Sequence, residues 1–277
     1  MEDEWLPAPA INMAARSPDS TMSPTPFARY PSLVDRGVLI TGGATGIGAT
    51  LVEEFSAQDA RVGFIDIDRS SGDALVAKLA WAKHPPLFAA ADLTDIAALD
   101  AAIAAVRARV GAITVLINNA ANDQRHAIDT VTSASWDATV AVNLKHQFFA
   151  ARNVAADMKT AGGGSIVNLG SASWMLKHGG MPVYTTSKSA VQGLTRSLAR
   201  DWGPYNIRVN TLVPGWVMTE KQVRLWLDDT GRAEIARGQC LAQPLLPEHI
   251  ARMALFLAAD DSAMCTAHDF IVDGGWT

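Results

Sequence analysis

The stretch Thr41-Gly42-Gly43-Ala44-Thr45-Gly46-Ile47-Gly48 follows the apolar run Val38-Leu39-Ile40 and precedes an amphipathic run that ends at Ala57. Three apolar residues halted by Thr and Gly are too few for a helix and read as a strand. Residues 47–57 read as a helix. Between the two, Gly42 allows a tight turn, Gly46 lets a pyrophosphate approach the backbone, and Gly48 lets the helix pack against the strand. The first N–H groups of that helix would face the anion.

The same alternation continues outward. Apolar strand-like runs occupy 61–66, 87–91, 113–117, 165–169, 207–212 and 270–272, the sixth run along the chain stopped by Pro214-Gly215. Helical runs fall at 71–82, from 94 onward, 133–159, 184–202 and 247–259. Continuously apolar strands separated by helices imply a parallel sheet covered on both faces. Right-handed crossovers then leave the doubly wound arrangement. The expected fold is α/β: a single Rossmann-type doubly wound domain over 33–277, with a seven-stranded parallel sheet and helices on both faces. Residues 1–32, rich in Pro, Ser, Thr and acidic side chains, read as a flexible N-terminal extension.

Composition narrows the function. The chain has 277 residues, 49% of them hydrophobic, which suffices for one sizeable core. A formal charge of −5 disfavours nucleic acid as a partner. No apolar run approaches the roughly 20 residues of a membrane-spanning helix, and the N-terminus lacks the apolar core of a secretory signal. Cys240 and Cys265 fit neither a disulfide framework nor a zinc site. His126, His146 and His178 are not spaced like metal ligands, so no metal is expected. A cytoplasmic location follows from these readings.

Two sets of residues carry the expected chemistry. Asp66 closes the second strand about 20 residues beyond the glycine turn, where a carboxylate accepts hydrogen bonds from an adenosine ribose and repels a 2′-phosphate. NAD is therefore the expected cofactor; Arg69 nearby leaves NADP as the weaker alternative. Tyr184 and Lys188, four apart on a helix, project from one face. A phenol with a pKa near 10 is a poor base at neutral pH, and a neighbouring ammonium is expected to lower it. Ser171, after the fifth strand, would hold the reacting oxygen at the carboxyl edge of the sheet.

The order and spacing of Thr41-Gly42-x-x-x-Gly46-Ile47-Gly48, Asp92-Leu93, Asn118-Asn119-Ala120, Asn143, Ser171, Tyr184-x-x-x-Lys188 and Pro214-Gly215-x-Val217-x-Thr219 resemble the short-chain dehydrogenase/reductase family. The likeness runs from about Gly37 to Gly275, with Ala121 where the family usually has glycine. It implies catalytic roles for Asn143, Ser171, Tyr184 and Lys188, with Lys188 also on the nicotinamide ribose and Asn143 anchoring a water. It implies cofactor contacts from Gly42, Thr45, Gly46, Ile47, Asp66, Ile67, Asp92, Leu93, Asn119, Ala120, Tyr184, Lys188, Pro214, Gly215, Val217 and Thr219.

A narrower resemblance lies in Asn119-Ala120-Ala121-Asn122-Asp123-x-Arg125-His126, Asn143-Leu144-x-His146, Gly170-Ser171-x-Ser173-Trp174, Gln239-Cys240-Leu241 and Asp273-x-Gly275-Trp276. These are similar to bacterial aldose 1-dehydrogenases, which oxidise sugars such as galactose, arabinose or xylose to lactones. The implied sugar site comprises Asn122, Ser171, Ser173, Trp174, Tyr184, Gln192 and Trp216, with 220–240 capping it. Asn122-Asp123 and Arg125-His126 can equally serve only to brace their loop. Two alternatives stay open: a dehydrogenase for another secondary alcohol or ketone, and a non-catalytic NAD-binding regulator. The family resemblance also implies a homotetramer.

Overall fold

The structure is a computed structural model and describes residues 28–277. Most of the expected extension, residues 1–27, lies outside them. Seven strands form one sheet: β1 (Gly37–Thr41), β2 (Arg61–Asp66), β3 (Leu87–Ala90), β4 (Ile113–Asn118), β5 (Gly164–Leu169), β6 (Ile207–Pro214) and β7 (Asp269–Val272). All pairings are parallel, in the order β3-β2-β1-β4-β5-β6-β7. The chain winds outward from β1 in both directions, so the switch point falls between β1 and β4. Ligands of such sheets bind there, at the carboxyl ends of the strands.

Because side chains alternate across a strand, successive residues feed opposite cores. Val38 and Ile40 of β1 pack with Phe64, Ile117 and Val167 beneath α1 (Gly46–Ala57) and α9 (Pro247–Ala258). Leu39 packs the other way, with Ile65, Leu116 and Ile166, against α3 (Ile96–Val110), α5 (His146–Thr160) and α6 (Pro182–Trp202). All of these strand side chains are fully buried. The uninterrupted apolar runs in the sequence reflect burial on both faces.

Several boundaries differ from expectation for local reasons. Helix α2 (Arg69–Lys78) starts two residues early because Asp68 accepts a hydrogen bond from the Ser71 N–H as its N-cap. Pro214 does not break β6; it is the last residue of the strand and pairs with Val272, while Gly215 supplies the next N–H to the Val272 carbonyl. The run 133–159 is not one helix. It comprises α4 (Ser133–Val140), a π-helical turn at Ala141–Lys145, and then α5. Residues 28–33 dock on the body: the Gln58 side chain donates to the Ala28 carbonyl and accepts from the Tyr30 N–H, and Leu33 is buried.

Candidate active site

A cleft of about 420 Å³ opens along the carboxyl edge of the sheet. One end is the glycine turn. Gly42 has φ +66°, and a Cβ there would sit 2.6 Å from the Ala120 Cα; a Cβ on Gly48 would sit 1.8 Å from the Gly42 carbonyl oxygen. Only glycine admits both approaches. Asn119 secures this turn by donating to the Thr41 and Gly42 carbonyls at 3.2 and 2.8 Å. Helix α1 begins at Gly46 with no side-chain cap on Thr45. Its first N–H groups are thus left for an anion in the cleft. Asp66 accepts from the Ala44 and Asp68 N–H groups at 2.9 and 3.0 Å, which fixes its carboxylate on the cleft wall. This cradle fits the phosphate and ribose of a dinucleotide.

The other end holds Ser171, Tyr184 and Lys188. Ser171 caps the short 3-10 turn Ala172–Trp174 and accepts from the Ser173 N–H at 3.2 Å. Lys188 is fully buried, donates to the Leu169 carbonyl at 2.7 Å, and stands 5.8 Å from the centre of the Tyr184 ring. The expected lowering of the phenol pKa does not occur in the free chain. Burial pushes Tyr184 up to about 12; the Ser171 hydroxyl opposes this and the Asp123 carboxylate adds to it. Burial also pulls Lys188 down to about 8, with Asp123 opposing. Desolvation is the dominant effect at both groups.

Behind this end, the π-helical turn carries Asn143. Its side chain accepts from the Asn122 N–H at 2.9 Å and donates to the Asn122 and Thr139 carbonyls at 3.1 and 2.9 Å. Asn143 is therefore behind the cleft wall, clamping the loop after β4. The Gln147 side chain donates to the Asn143 carbonyl at 3.3 Å. His146, on the same turn of chain, is fully buried. Burial, then the Lys188 charge, lowers its pKa to about 3.

Most expected cofactor residues meet in the cleft: Gly42, Thr45, Ile47, Asp66, Ile67, Asp92, Leu93, Asn119, Ala120, Pro214, Gly215, Val217 and Thr219 all line it. Gly46 lies just beneath, its missing side chain facing the Thr219 methyl. The expected sugar residues divide. Ser173 and Trp216 line the cleft, and the Ser173 hydroxyl and Trp216 indole N–H are buried without a protein partner. Asn122, Trp174 and Gln192 do not line it. The Asn122 side chain turns to the Gln124 N–H, Trp174 lines a separate cavity with Ile128 and Pro182, and Gln192 lies farther along α6.

Sequence reasoning gave no cleft position to His178, Met181, Lys221 or Gln222, and left Asp123 and Arg125 open; all six line the cleft. Helices α7 (Glu220–Leu225) and α8 (Asp229–Gly238) lie beside it. Lys221 donates to Asp123 Oδ1 at 2.6 Å, and Gln222 Nε2 donates to Oδ2. The Arg125 guanidinium lies 4.5 Å from the Trp226 ring centre and 5.5 Å from that of Trp216, which in turn stacks on Trp276. The signal was present as charge near Thr219, but the pairing spans 98 residues and has no local pattern.

A glycine-cradled cleft that ends at Ser171, Tyr184 and Lys188 defines a class of oxidoreductase. The family model described as enoyl-(acyl carrier protein) reductase matches residues 42–277. The chain belongs to the short-chain dehydrogenase/reductase family. It is 47% identical over 251 residues to the Rhizobium meliloti (strain 1021) protein named "Probable galactose dehydrogenase GalD", covering 90% of this chain and 98% of that one. It is 45% identical over 249 residues to the D-xylose 1-dehydrogenase of Caulobacter vibrioides (strain NA1000 / CB15N), with the same coverage of 90% and 98%. A solved short-chain type dehydrogenase/reductase from Mycobacterium ulcerans superposes with a TM-score of 0.84 at 27% identity, covering 88% of this chain and 90% of that one.

Proposed function

We propose that this protein oxidises an aldose at C1 to the aldonolactone, with NAD as hydride acceptor. The observation that carries this is one continuous cleft, running from the uncapped start of α1 to the Tyr184 phenol. The relatives named for galactose and D-xylose supply the substrate class. The Ser173 hydroxyl and Trp216 N–H, buried and without protein partners, suit a ligand dense in hydroxyls.

Nicotinamide, when bound, accepts the hydride that leaves C1 with its electron pair. The chain's residues manage the oxygen and the proton. Ser171 holds the anomeric oxygen by hydrogen bonding, and Tyr184, once ionised, takes the hydroxyl proton as C1 becomes the lactone carbonyl carbon. The free phenol keeps its proton at neutral pH, so its activation belongs to the liganded state, in which oxidised nicotinamide held in the cleft would supply positive charge that favours the phenolate. Lys188 contributes charge from below and is held in place by the Leu169 carbonyl. Asn143 fixes the loop that carries Asn122 and Asp123.

Asp66, on the cleft wall at the end of β2, supports NAD over NADP, since a 2′-phosphate would meet its charge. The segment 220–240 acts as the cap over the sugar. A homotetramer is supported by Trp136 and Phe148, which α4 and α5 expose at 42% and 39%. No helix among the described residues is long and apolar enough to cross a membrane, and a reducing cytoplasm supplies the NAD. The test is a panel of free aldoses with NAD and NADP, followed by absorbance of the reduced cofactor. Turnover of D-xylose or D-galactose with NAD is expected. Absence of turnover on every aldose would refute the sugar substrate, and a preference for NADP would refute the role of Asp66.

A further inference from the structure

The loop after β4 and helix α7 meet at one ion pair inside the cleft. Asp123 is three-quarters buried, with its side chain 25% exposed, and Lys221 reaches it from α7, 2.6 Å away. Gln222 takes the second carboxylate oxygen. The same cleft wall carries Tyr184 and Lys188. A carboxylate in that position repels the negative charge that a phenolate would carry, and a cation seated on it offsets part of that repulsion.

We propose that Asp123 and Lys221 form a positioning pair, joining the loop after β4 to α7, that sets how readily Tyr184 gives up its proton. With Lys221 in place the charge of the carboxylate is partly offset, and the phenol ionises more easily than beside a bare carboxylate. With Lys221 withdrawn the bare carboxylate holds the proton on the phenol.

The charged groups facing this site are few. Lys188 approaches Tyr184 from α6 itself, and His146, on the turn behind, is buried. Arg125 lies on the cleft wall but stacks on the indoles of Trp216 and Trp226. His178 pairs with Glu234 of α8 at 3.3 Å. On α7, Glu220 and Arg224 pair with each other at the surface. Lys221 is thus the cation that meets Asp123 directly. Burial tends to raise the Asp123 carboxyl, yet Lys221 and Gln222 hold it below its ordinary range, so it stays ionised. Its charge is also felt at both Tyr184 and Lys188.

The proposal rests on Tyr184 being the base in the function proposed above. Its test is the pH profile of kcat/KM for D-xylose at saturating NAD, which reports ionisation in the enzyme–NAD complex. Asp123→Asn keeps the side-chain shape and should move the acidic limb to lower pH by about half a unit or more. Lys221→Met should move it to higher pH by a similar amount, and Lys221→Arg should restore the parent profile. The double variant Asp123→Asn/Lys221→Met removes both charges and should lie between the two single variants, near the parent profile. Shifts in the same direction for both single variants, or no shift in either, overturn the pair's role and reduce it to a loop brace. Thermal unfolding confirms that each variant is folded. If Tyr184→Phe leaves the limb in place, the base assignment fails instead, which separates the two ideas.

Discussion

At Tyr184 two physical effects compete, and burial wins in the free chain. The phenol stands at about 12 although an ammonium is one helical turn away, because burial raises it and the Asp123 carboxylate adds to the rise, with only the Ser171 hydroxyl opposing. Tyr184→Phe should lower kcat by about 100-fold or more while leaving the unfolding temperature within a few degrees. Steady-state kinetics with a thermal melt would check both halves; near-parental turnover would remove Tyr184 from the chemistry. Asp66, Ser171 and the Tyr184–Lys188 pair were legible in the sequence because each sits at a fixed step from a strand end or within one helical turn. Asn122, Trp174 and Gln192 fall outside the cleft lining for the converse reason. Nearness along the chain says little about where a side chain turns, and the Asn122 carboxamide turns back to its own loop. Arg125 and Lys221 were illegible as site residues because their partners lie far away in sequence.

At the scale of elements, α6 must present Tyr184 and Lys188 in register with β5. A buried polar chain does this. Asn118 donates to Asn168 at 2.9 Å, Asn168 to Thr195 at 3.0 Å, and Thr211 to Thr195 at 2.9 Å, which joins β4, β5, β6 and α6. Apolar packing alone tolerates a helix sliding along the sheet, whereas these bonds do not. Thr195→Val preserves shape but leaves two buried donors without an acceptor, and should cost about 1–3 kcal/mol in denaturant unfolding. An unchanged midpoint would show that the chain is not what holds α6. The π-helical turn is the element the sequence hid most completely. Residues 133–159 read as uninterrupted helix, and nothing in their pattern marks Asn143 as the place where the ladder widens. Its cause is tertiary: the Asn143 side chain is taken up by the Asn122 backbone.

For the molecule as a whole, the doubly wound parallel sheet followed from strand count, helix spacing and crossover handedness, whereas the strand order and the division of the core across the two faces of the sheet came from the structure. The charge balance of the interior was less visible. His146 is neutral when folded, with a pKa near 3, against an ordinary value of 6.5. Below 6.5 the unfolded imidazole takes up a proton and the folded one does not, so the native state loses stability as pH falls through that window. The slope from this group alone grows from about 0.7 kcal/mol per pH unit at pH 6.5 towards about 1.4 near pH 5. Denaturant unfolding between pH 5 and 6.5, where most carboxylates have yet to titrate, should show that slope in the parent and a flatter one in His146→Gln; equal slopes would mean the imidazole is already protonated in the native state. The aromatic plates of the cleft have a different consequence. Trp216 lines the cavity and stacks on Trp276 at 6.5 Å with an interplanar angle of 11°, while Trp226 sits across Arg125. Indole emission overlaps the absorption of a reduced dihydropyridine ring. The protein therefore carries a built-in optical donor at the wall where that ring would lie, and loading can be followed by energy transfer without any attached dye.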